Sequence, residues 1–212
     1  MNSVQYVNGF RQIGIHIVKF KKIQEQRIRG YFIQAAKDIL KEEGLKSASV
    51  RNIAERAGYS YATLYNYFKD VKELVFECVV DFQEDCRQKV EQQTRHLPRG
   101  KEKLKAIIQS YIEYFLKYPG IFDLFFLEKI PRLNNGNPGI QLIFTQLDSL
   151  CEEEWDYCIN HQQYTRKEQA IKSAQLRYQI AGLLLFYLNR RQPNSRSQLM
   201  AVAKQQLDAV LG

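Results

Sequence analysis

The chain has 212 residues and a mass of 25.0 kDa, and its 45% hydrophobic and 25% charged residues describe an ordinary globular protein. This composition excludes a chain that is disordered throughout, and 11 Gly with 5 Pro exclude collagen-like and low-complexity classes. The net charge of +8 and the pI near 9.2 favour an anionic partner. The longest apolar run, residues 180–188, is far shorter than the roughly 20 residues of a membrane-spanning helix.

Residues 1–22 form a basic segment ahead of the first clear helical pattern. Three isoleucines alternate at 13–17 and three lysines follow at 19–22. A secretory signal has the reverse order and ends at a small-residue cleavage site, so we expect a cytoplasmic protein without a membrane partner. Two alternatives remain for this segment: a flexible or loosely docked extension, or a basic arm that reaches a DNA groove.

From residue 28 onward, apolar residues recur three or four positions apart, which predicts helices. Glycines, prolines and polar stretches, including the loop 131–139, separate them. No credible run of strands is present, so the sequence predicts an all-α fold. The predicted helices span about 28–43, 50–57, 61–68, 70–95, 101–117, 121–130, 139–161, 167–191 and 195–211.

The starts of three helices carry capping residues. Ser47 or Ser49 can cap the second helix, and Ser60 can cap the third. Asp70 precedes the fourth helix, with Glu73 three residues on in capping-box spacing. The fourth helix continues past residue 80, so the two domains we predict, 23–80 and 81–212, share it.

The cysteines and histidines do not form a metal or redox pattern. Cys78 and Cys86 are eight residues apart, Cys151 and Cys158 seven, and on helices each pair shares one face. We interpret them as small core hydrophobes in preference to a redox pair. The three histidines are scattered. We therefore predict no metal site, no cofactor and no His-based catalysis.

Residues 49–68 meet the requirements of a helix-turn-helix motif one by one. Two short helices that cross closely need a small residue at the contact, and Ala54 supplies it. Gly58 tolerates the positive φ that the turn needs. Leu64 and Phe68 share the inward face of the second helix. Small, polar and aromatic residues suited to the major groove lie on its other faces: Tyr61, Ala62, Thr63, Tyr65, Asn66 and Tyr67.

The stretch from about residue 27 to 80 resembles the TetR family of bacterial transcriptional regulators. The matching features are the AAKDIL and EEG end of the first helix, VRNIAERAGYS, ATLYNYF, and KEL at the start of the next helix. The resemblance implies an N-terminal three-helix DNA-binding domain joined through a shared helix to a larger helical domain that binds a ligand and dimerises. It also implies these DNA-contacting residues: Ser49, Arg51, Ser60, Tyr61, Thr63, Tyr65, Asn66, Tyr67, Lys69 and Lys72.

The resemblance assigns different roles within this set. Ser49 and Arg51 would touch the DNA backbone or a base, and Tyr65 would contact a phosphate. Members of the family open the fourth helix with a phosphate-gripping lysine, whereas this chain has Val71 there, and Lys72 is our expected replacement. We expect one of the three flanking tyrosines to pack inward instead. Residues 19–74 carry 12 Lys and Arg against 7 Asp and Glu, a net +5 that suits phosphate attraction.

Aromatic residues are crowded in the C-terminal part, where the resemblance implies a ligand pocket. Ordinary core packing is an equally good interpretation for any one of them. The acidic run 152–156 is interpreted as a solvated face, with Glu154 nearest the apolar stripe, in preference to an organic-cation site. The candidate pocket residues are Tyr111, Tyr114, Phe115, Tyr118, Phe122, Phe125, Phe126 and Trp155.

The last two helices are apolar over much of their circumference, which predicts burial on more than one side. Two copies would pack about a two-fold axis as a four-helix bundle. The candidate interface residues are Ile180, Leu184, Leu188, Leu199, Val202 and Leu207.

These observations favour a DNA-binding transcriptional regulator. We expect a repressor that acts as a homodimer on a palindromic operator and is released by a small-molecule effector. Two other classes are alternatives. One is an all-helical enzyme, for which the sequence contains no E-x-x-H motif or Cys–His pairing, and the other is an architectural DNA-binding protein without a ligand.

Overall fold

The computed structural model describes the backbone of residues 3–127 and 138–212 and the side chains of residues 21–127 and 143–212. Within these ranges the chain is helical and contains no strand, which confirms the predicted fold class. The predicted loop 131–139 and the end of the predicted helix 121–130 lie largely outside the described residues. The helices are α1 (Ser3–Glu42), a 3-10 turn (Leu45–Ser47), α2 (Val50–Ala57), α3 (Tyr61–Tyr65), α4 (Val71–Thr94), α5 (Lys101–Lys117), α6 (Pro119–Phe126), α7 (Pro138–Asn160), α8 (Arg166–Arg190) and α9 (Arg196–Leu211).

The chain divides into two compact units, Met1–Cys78 and Val79–Gly212. The division falls inside α4, so this one helix contributes residues to both units. No helix in the described ranges is both long and apolar enough to cross a membrane.

Helix α1 is much longer than the sequence pattern predicts, because it begins at Ser3 and includes most of residues 1–22. Whether this segment is a loosely docked extension or a DNA-reaching arm stays a prediction. Once the turns around Phe32 and Leu40 are formed, each added residue gains one backbone hydrogen bond and fixes only its own φ and ψ, which costs less than nucleating a new helix. The helix ends at Glu42, and Gly44 follows it with a φ of +79° and an N–H that donates to the Ile39 carbonyl oxygen at 3.1 Å.

The first unit buries one apolar face from each of its helices. Helix α1 packs against α2, and α2 packs against α3. Serine side chains begin the two short helices as predicted: Ser49 Oγ accepts from the Asn52 N–H at 3.2 Å, and Ser60 Oγ accepts from the Thr63 N–H at 3.1 Å. The buried side chains include Phe32, Ala36, Leu40, Ile53, Ala54, Leu64, Phe68 and Leu74.

Helix α3 is shorter than the predicted span 61–68. Its regular part ends at Tyr65, and the Asn66 and Tyr67 N–H groups donate to carbonyls three residues back. Such tight bonds are common in a last helical turn. Asp70 then caps α4 by accepting from the Glu73 N–H at 2.9 Å, while Glu73 accepts from the Lys69 N–H at 2.7 Å.

The second unit is built around α5, which packs against α6, α7, α8 and α9. Thr165 and Glu168 form a capping box at the start of α8, and Ser195 caps α9. All four cysteines are buried and none is in a disulfide, which confirms their interpretation as core residues. Burial raises the pKa of Cys86 to about 12, so this thiol stays protonated at neutral pH.

The acidic run 152–156 is not uniformly solvated, which corrects the sequence interpretation at one position. Glu154 is only 1% exposed. Its carboxylate lies 2.9 Å from Lys103 Nζ and 3.3 Å from Arg99 Nε, and it accepts from the Gly100 N–H at 2.9 Å. Burial by itself raises the pKa of Glu154, but these three partners hold it below its ordinary value. The Glu154 carboxylate therefore joins α7 to the start of α5.

Candidate DNA-binding surface and ligand cavities

Helices α2 and α3 are connected by the turn that the motif requires. Gly58 adopts the left-handed conformation, with φ of 76° and ψ of 26°, and its N–H donates to the Glu55 carbonyl at 3.1 Å. The Tyr59 N–H donates to the Ala54 carbonyl at 2.9 Å. Since Ala54 is buried at the contact, the two helices can cross closely. The helix-turn-helix geometry predicted from residues 49–68 is present.

Helix α3 buries one side and exposes the other. Leu64 and Phe68 are buried, whereas Tyr61 is 66% and Tyr65 is 52% exposed. Asn66 is also exposed. The exposed side of α3 therefore presents phenol and amide groups that can meet base edges and phosphates.

Two residues that the sequence predicts to contact DNA are less exposed than their neighbours. Tyr67 is half-buried, and its ring centroid lies 6.0 Å from that of Phe32. It is the flanking tyrosine that packs inward. Thr63 is also half-buried, and its hydroxyl shares a 2.9 Å hydrogen bond with the Ser60 hydroxyl.

Two arginines pair with three of the carboxylates in this unit. Arg56 lies 2.5 Å from Glu42 and 2.8 Å from Glu43, and the hydrogen bond to Glu42 raises the pKa of Arg56. Arg29 pairs with Glu77. By contrast, three cations of the predicted contact set are exposed and have no carboxylate partner in the described part of the chain. These are Arg51, Lys69 and Lys72.

Val71 begins α4, and its side chain has no charge or donor with which to hold a phosphate. Lys69 and Lys72 flank it and are exposed. Tyr31 was not predicted as part of this surface. It is 55% exposed and stacks on Tyr59 with ring centroids 6.2 Å apart. Tyr31 lies outside the apolar spacing of α1, and an aromatic residue at such a position is the sequence signal that could have indicated its exposure.

The second unit contains an apolar cavity of about 160 Å³ among α5, α6, α7 and α8. Three of the eight aromatic pocket candidates, Tyr111, Phe122 and Phe126, line it. Its one charged residue is Arg177, which pairs with Asp148 and lies 4.5 Å from the Phe144 ring centroid. Arg177 was not predicted as a lining residue, because a single cation on a helix does not form a sequence pattern. The remaining lining residues are Ile143, Phe144, Leu147, Tyr178, Ala181 and Leu184.

The other aromatic candidates lie elsewhere. Tyr114 and Tyr118 line a separate, polar cavity of about 590 Å³. Phe115, Phe125 and Trp155 are buried in the core and line neither cavity. Core packing is therefore the better interpretation for these three.

The candidate interface residues need a similar correction. Ile180, Leu184, Leu199 and Leu207 are completely buried within a single chain, so a partner cannot contact them. Leu188 and Val202 are half-buried. The apolar side chains that α8 leaves exposed are different ones: Ile171, Tyr178, Leu185 and Phe186.

In the described ranges no cluster of His, Cys, Asp or Glu is arranged to hold a metal ion. The fold and the exposed face of α3 define a DNA-binding regulator of the helix-turn-helix class. Residues 32–78 match the family described as bacterial regulatory proteins, tetR family. The match covers the helix-turn-helix of the first unit, so this part of the chain is similar to the DNA-binding domain of TetR-family regulators.

Solved structures of other regulators are similar over most of the chain. A putative TetR-family regulator from Mesorhizobium loti has 19% identity and a TM-score of 0.64, covering 88% of this chain and 96% of that one. FadR from Bacillus subtilis, solved with stearoyl-CoA, has 18% identity and a TM-score of 0.62, covering 86% and 97%. RolR, solved with resorcinol, has 14% identity and a TM-score of 0.65, covering 89% and 87%. At these identities the likeness is one of fold.

Proposed function

We propose that this regulator is a repressor that binds a palindromic operator as a homodimer and releases it when a small, largely apolar molecule enters the second unit. The observation that carries the proposal is the exposed face of α3. Tyr61, Tyr65 and Asn66 are exposed there, while the opposite face of the helix is packed against the core.

The residues around α3 divide into two kinds of contact. Asn66 offers an amide that can form paired hydrogen bonds with an adenine edge, which specifies sequence. Arg51, Lys69 and Lys72 offer positive charge to phosphates, which positions the protein without specifying sequence. Phosphate contacts of this kind make affinity fall with rising salt.

The dimer is supported by the exposed apolar residues of α8. Tyr178 and Phe186 are 63% and 58% exposed on one helix. Covering them with the same surface of a second copy gives a two-fold arrangement. Two recognition helices related by that axis read a palindrome whose half-sites are one or more helical turns apart.

The apolar cavity supports a ligand-responsive regulator. Its volume of about 160 Å³ is comparable with the roughly 150 Å³ of an engineered apolar cavity that accepts benzene. Two structural neighbours were solved with small molecules, stearoyl-CoA and resorcinol. A ligand releases DNA only by the difference between its affinities for the two states, and each tenfold change corresponds to about 1.4 kcal/mol. We place the transmission in α4, which contributes to both units.

The test begins by sequencing the genomic DNA that the purified protein retains, which supplies the operator. Compounds are then screened for release of this duplex, and a compound that releases it is titrated by calorimetry with and without the operator. Linkage requires that operator DNA weakens compound binding by the factor by which the compound weakens DNA binding. Equal affinities in the two titrations would reject the coupling and favour an architectural DNA-binding protein.

A matched pair of variants locates the effector. Ala181→Phe fills the apolar cavity, so we expect it to abolish the response to the compound while DNA binding persists. Ala209→Phe adds the same ring at an exposed position of α9, and we expect a normal response. A normal response from both variants would place the effector elsewhere.

A further inference from the structure

The polar cavity of the second unit differs from the apolar one in size and in charge. It has a volume of about 590 Å³, within the range of about 300–1,000 Å³ that small-molecule sites occupy. It lies between the end of α4, the second half of α5 and the end of α8. Polar side chains that can donate hydrogen bonds line it beside the charged ones, namely Gln92, Gln93 and Ser110.

Positive charge is concentrated in this cavity. Four cations line it against one carboxylate, Glu113. Glu113 pairs with one of them, Arg196, at 3.3 Å. A second cation, Lys89, pairs at 2.9 Å with Asp85 just outside the lining. The other two, Lys117 and Arg191, have no carboxylate partner in the described residues.

The ends of two helices offset only part of this charge. Lys117 is in the last turn of α5, and Arg191 caps the end of α8. Each helix end carries about half a negative elementary charge, so two ends offset about one. With Glu113 and Asp85 counted as well, the cavity remains positive.

Tyr118 lies among the positive charges of this cavity. Lys89 donates to the Tyr118 hydroxyl at 3.3 Å, and the Lys89 and Lys117 ammonium nitrogens lie 4.7 and 5.4 Å from the Tyr118 ring centroid. Burial alone raises the pKa of Tyr118, but the two lysines hold it below its ordinary value. Cations gathered in one concavity repel one another, and a bound anion relieves that repulsion.

We propose that this cavity binds an organic oxyanion, a carboxylate or a phosphate ester, with Lys117 and Arg191 as its charge partners and Gln92 and Ser110 as further hydrogen-bond donors. The site is separate from the apolar effector cavity, shares no lining residue with it and does not depend on the repressor function proposed above.

The test uses the full-length protein with pyrophosphate and citrate as probes, titrated by calorimetry at a constant ionic strength of about 0.15 M set with chloride. The site variant is Lys117→Gln/Arg191→Gln, in which both altered side chains are exposed. The matched control is Arg166→Gln/Lys167→Gln, which removes two exposed cations of the same unit away from the cavity. We expect the site variant to lose about tenfold or more in affinity, because charge-assisted hydrogen bonds are the strong ones, and the control to stay near wild type.

A second variant keeps the test decisive if the double variant does not fold. Gln92→Glu adds a carboxylate to the lining at an exposed position of α4, and it should weaken binding of either anion. Binding of pyrophosphate alone identifies a phosphate site, and binding of citrate alone identifies a carboxylate site. The proposal is overturned if neither anion binds wild type, or if the control loses as much affinity as the site variants.

Discussion

Tyr65 and Asn66 are adjacent and exposed at the end of α3, but their side chains are suited to different DNA contacts. A phenol that meets a phosphate contributes to every complex equally, whereas an amide that meets a base edge distinguishes sequences. We expect Tyr65→Phe to weaken binding to all duplexes by about three- to tenfold, the value of one hydrogen bond. Asn66→Ala should instead change which base pair is preferred at one position in each half-site.

Binding-site selection with both variants and with Tyr67→Phe measures this difference. Tyr67 is half-buried against Phe32, so its variant serves as the control and should keep wild-type preference. Unchanged base preference in Asn66→Ala would show that another part of α3 reads the sequence.

Glu154 gives a residue-scale prediction for stability. Its pKa is lowered in the folded protein, so the ionised carboxylate stabilises the fold at neutral pH. This contribution is present above the ordinary glutamate value of about 4.3 and is lost as pH falls through the lower folded-state value. We expect Glu154→Gln to cost about 2 kcal/mol at pH 7, because two charged partners lose their carboxylate.

Urea unfolding at a series of pH values tests this. The difference in unfolding free energy between wild type and Glu154→Gln should shrink below about pH 4. Glu153→Gln, at the exposed neighbouring position, should behave like wild type throughout. A difference that is constant with pH would mean that the charge of Glu154 is not what stabilises the junction.

At the scale of elements, replacing glycine by alanine should have opposite effects on stability in the turn between α2 and α3 and in the middle of α1. A Cβ added at Gly58 meets no atom within 4 Å, but the positive φ of 76° disfavours any side chain. Gly58→Ala should therefore destabilise the protein by about 1–2 kcal/mol. Gly30 is exposed inside α1 with open space around it, so Gly30→Ala should stabilise it by about 1 kcal/mol.

Thermal unfolding of the two alanine variants compares them directly. If Gly58→Ala raised the unfolding temperature, residue 58 could not have the left-handed conformation described here. Gly58→Asn provides a further check, since asparagine tolerates this conformation better than alanine does.

For the whole molecule, the structure changes how dimerisation is tested. Deleting α9 would remove Leu199 and Leu207 from the core of the same chain, so loss of binding would not report on an interface. Phe186→Glu instead places a charge on the exposed apolar face of α8. We expect folded monomers with at least about tenfold weaker operator binding, because each half-site then binds alone.

Sedimentation and operator titration of Phe186→Glu measure this effect. Val80→Glu makes the same kind of change at an exposed apolar position of α4, outside the α8 face, and should remain dimeric. A dimeric Phe186→Glu would place the subunit interface on another surface.

The sequence predicted the elements well wherever local chemistry decides them. Gly58, Ser60 and Asp70 define their helix ends through backbone conformation or a single hydrogen bond, and each acts as expected. The length of α1 was underestimated, because alternating isoleucines at 13–17 do not reveal a helix that propagates from a later nucleus.

The candidate sites were harder to predict, because they depend on contacts between distant residues. A helical wheel showed that α8 is apolar on several sides, but only packing against α5, α7 and α9 shows that Leu184 is inside and Phe186 outside. The sequence places Glu154 in a solvated acidic run. Its burial depends on contacts with Lys103 and Gly100, which lie more than 50 residues earlier in the chain. Periodicity identifies the apolar face of a helix, but it does not identify which other element packs against that face.

The burial of all four cysteines has a practical consequence for measuring motion. A maleimide or spin label added at neutral pH should leave the native thiols almost untouched, because reaction needs an accessible thiolate. One cysteine introduced at an exposed position, such as 205 on α9, would then carry the probe alone, without removal of the others. Cys78 belongs to the first unit and Cys151 to the second. Comparing their slow labelling rates, with and without operator DNA, would measure how often each unit opens locally.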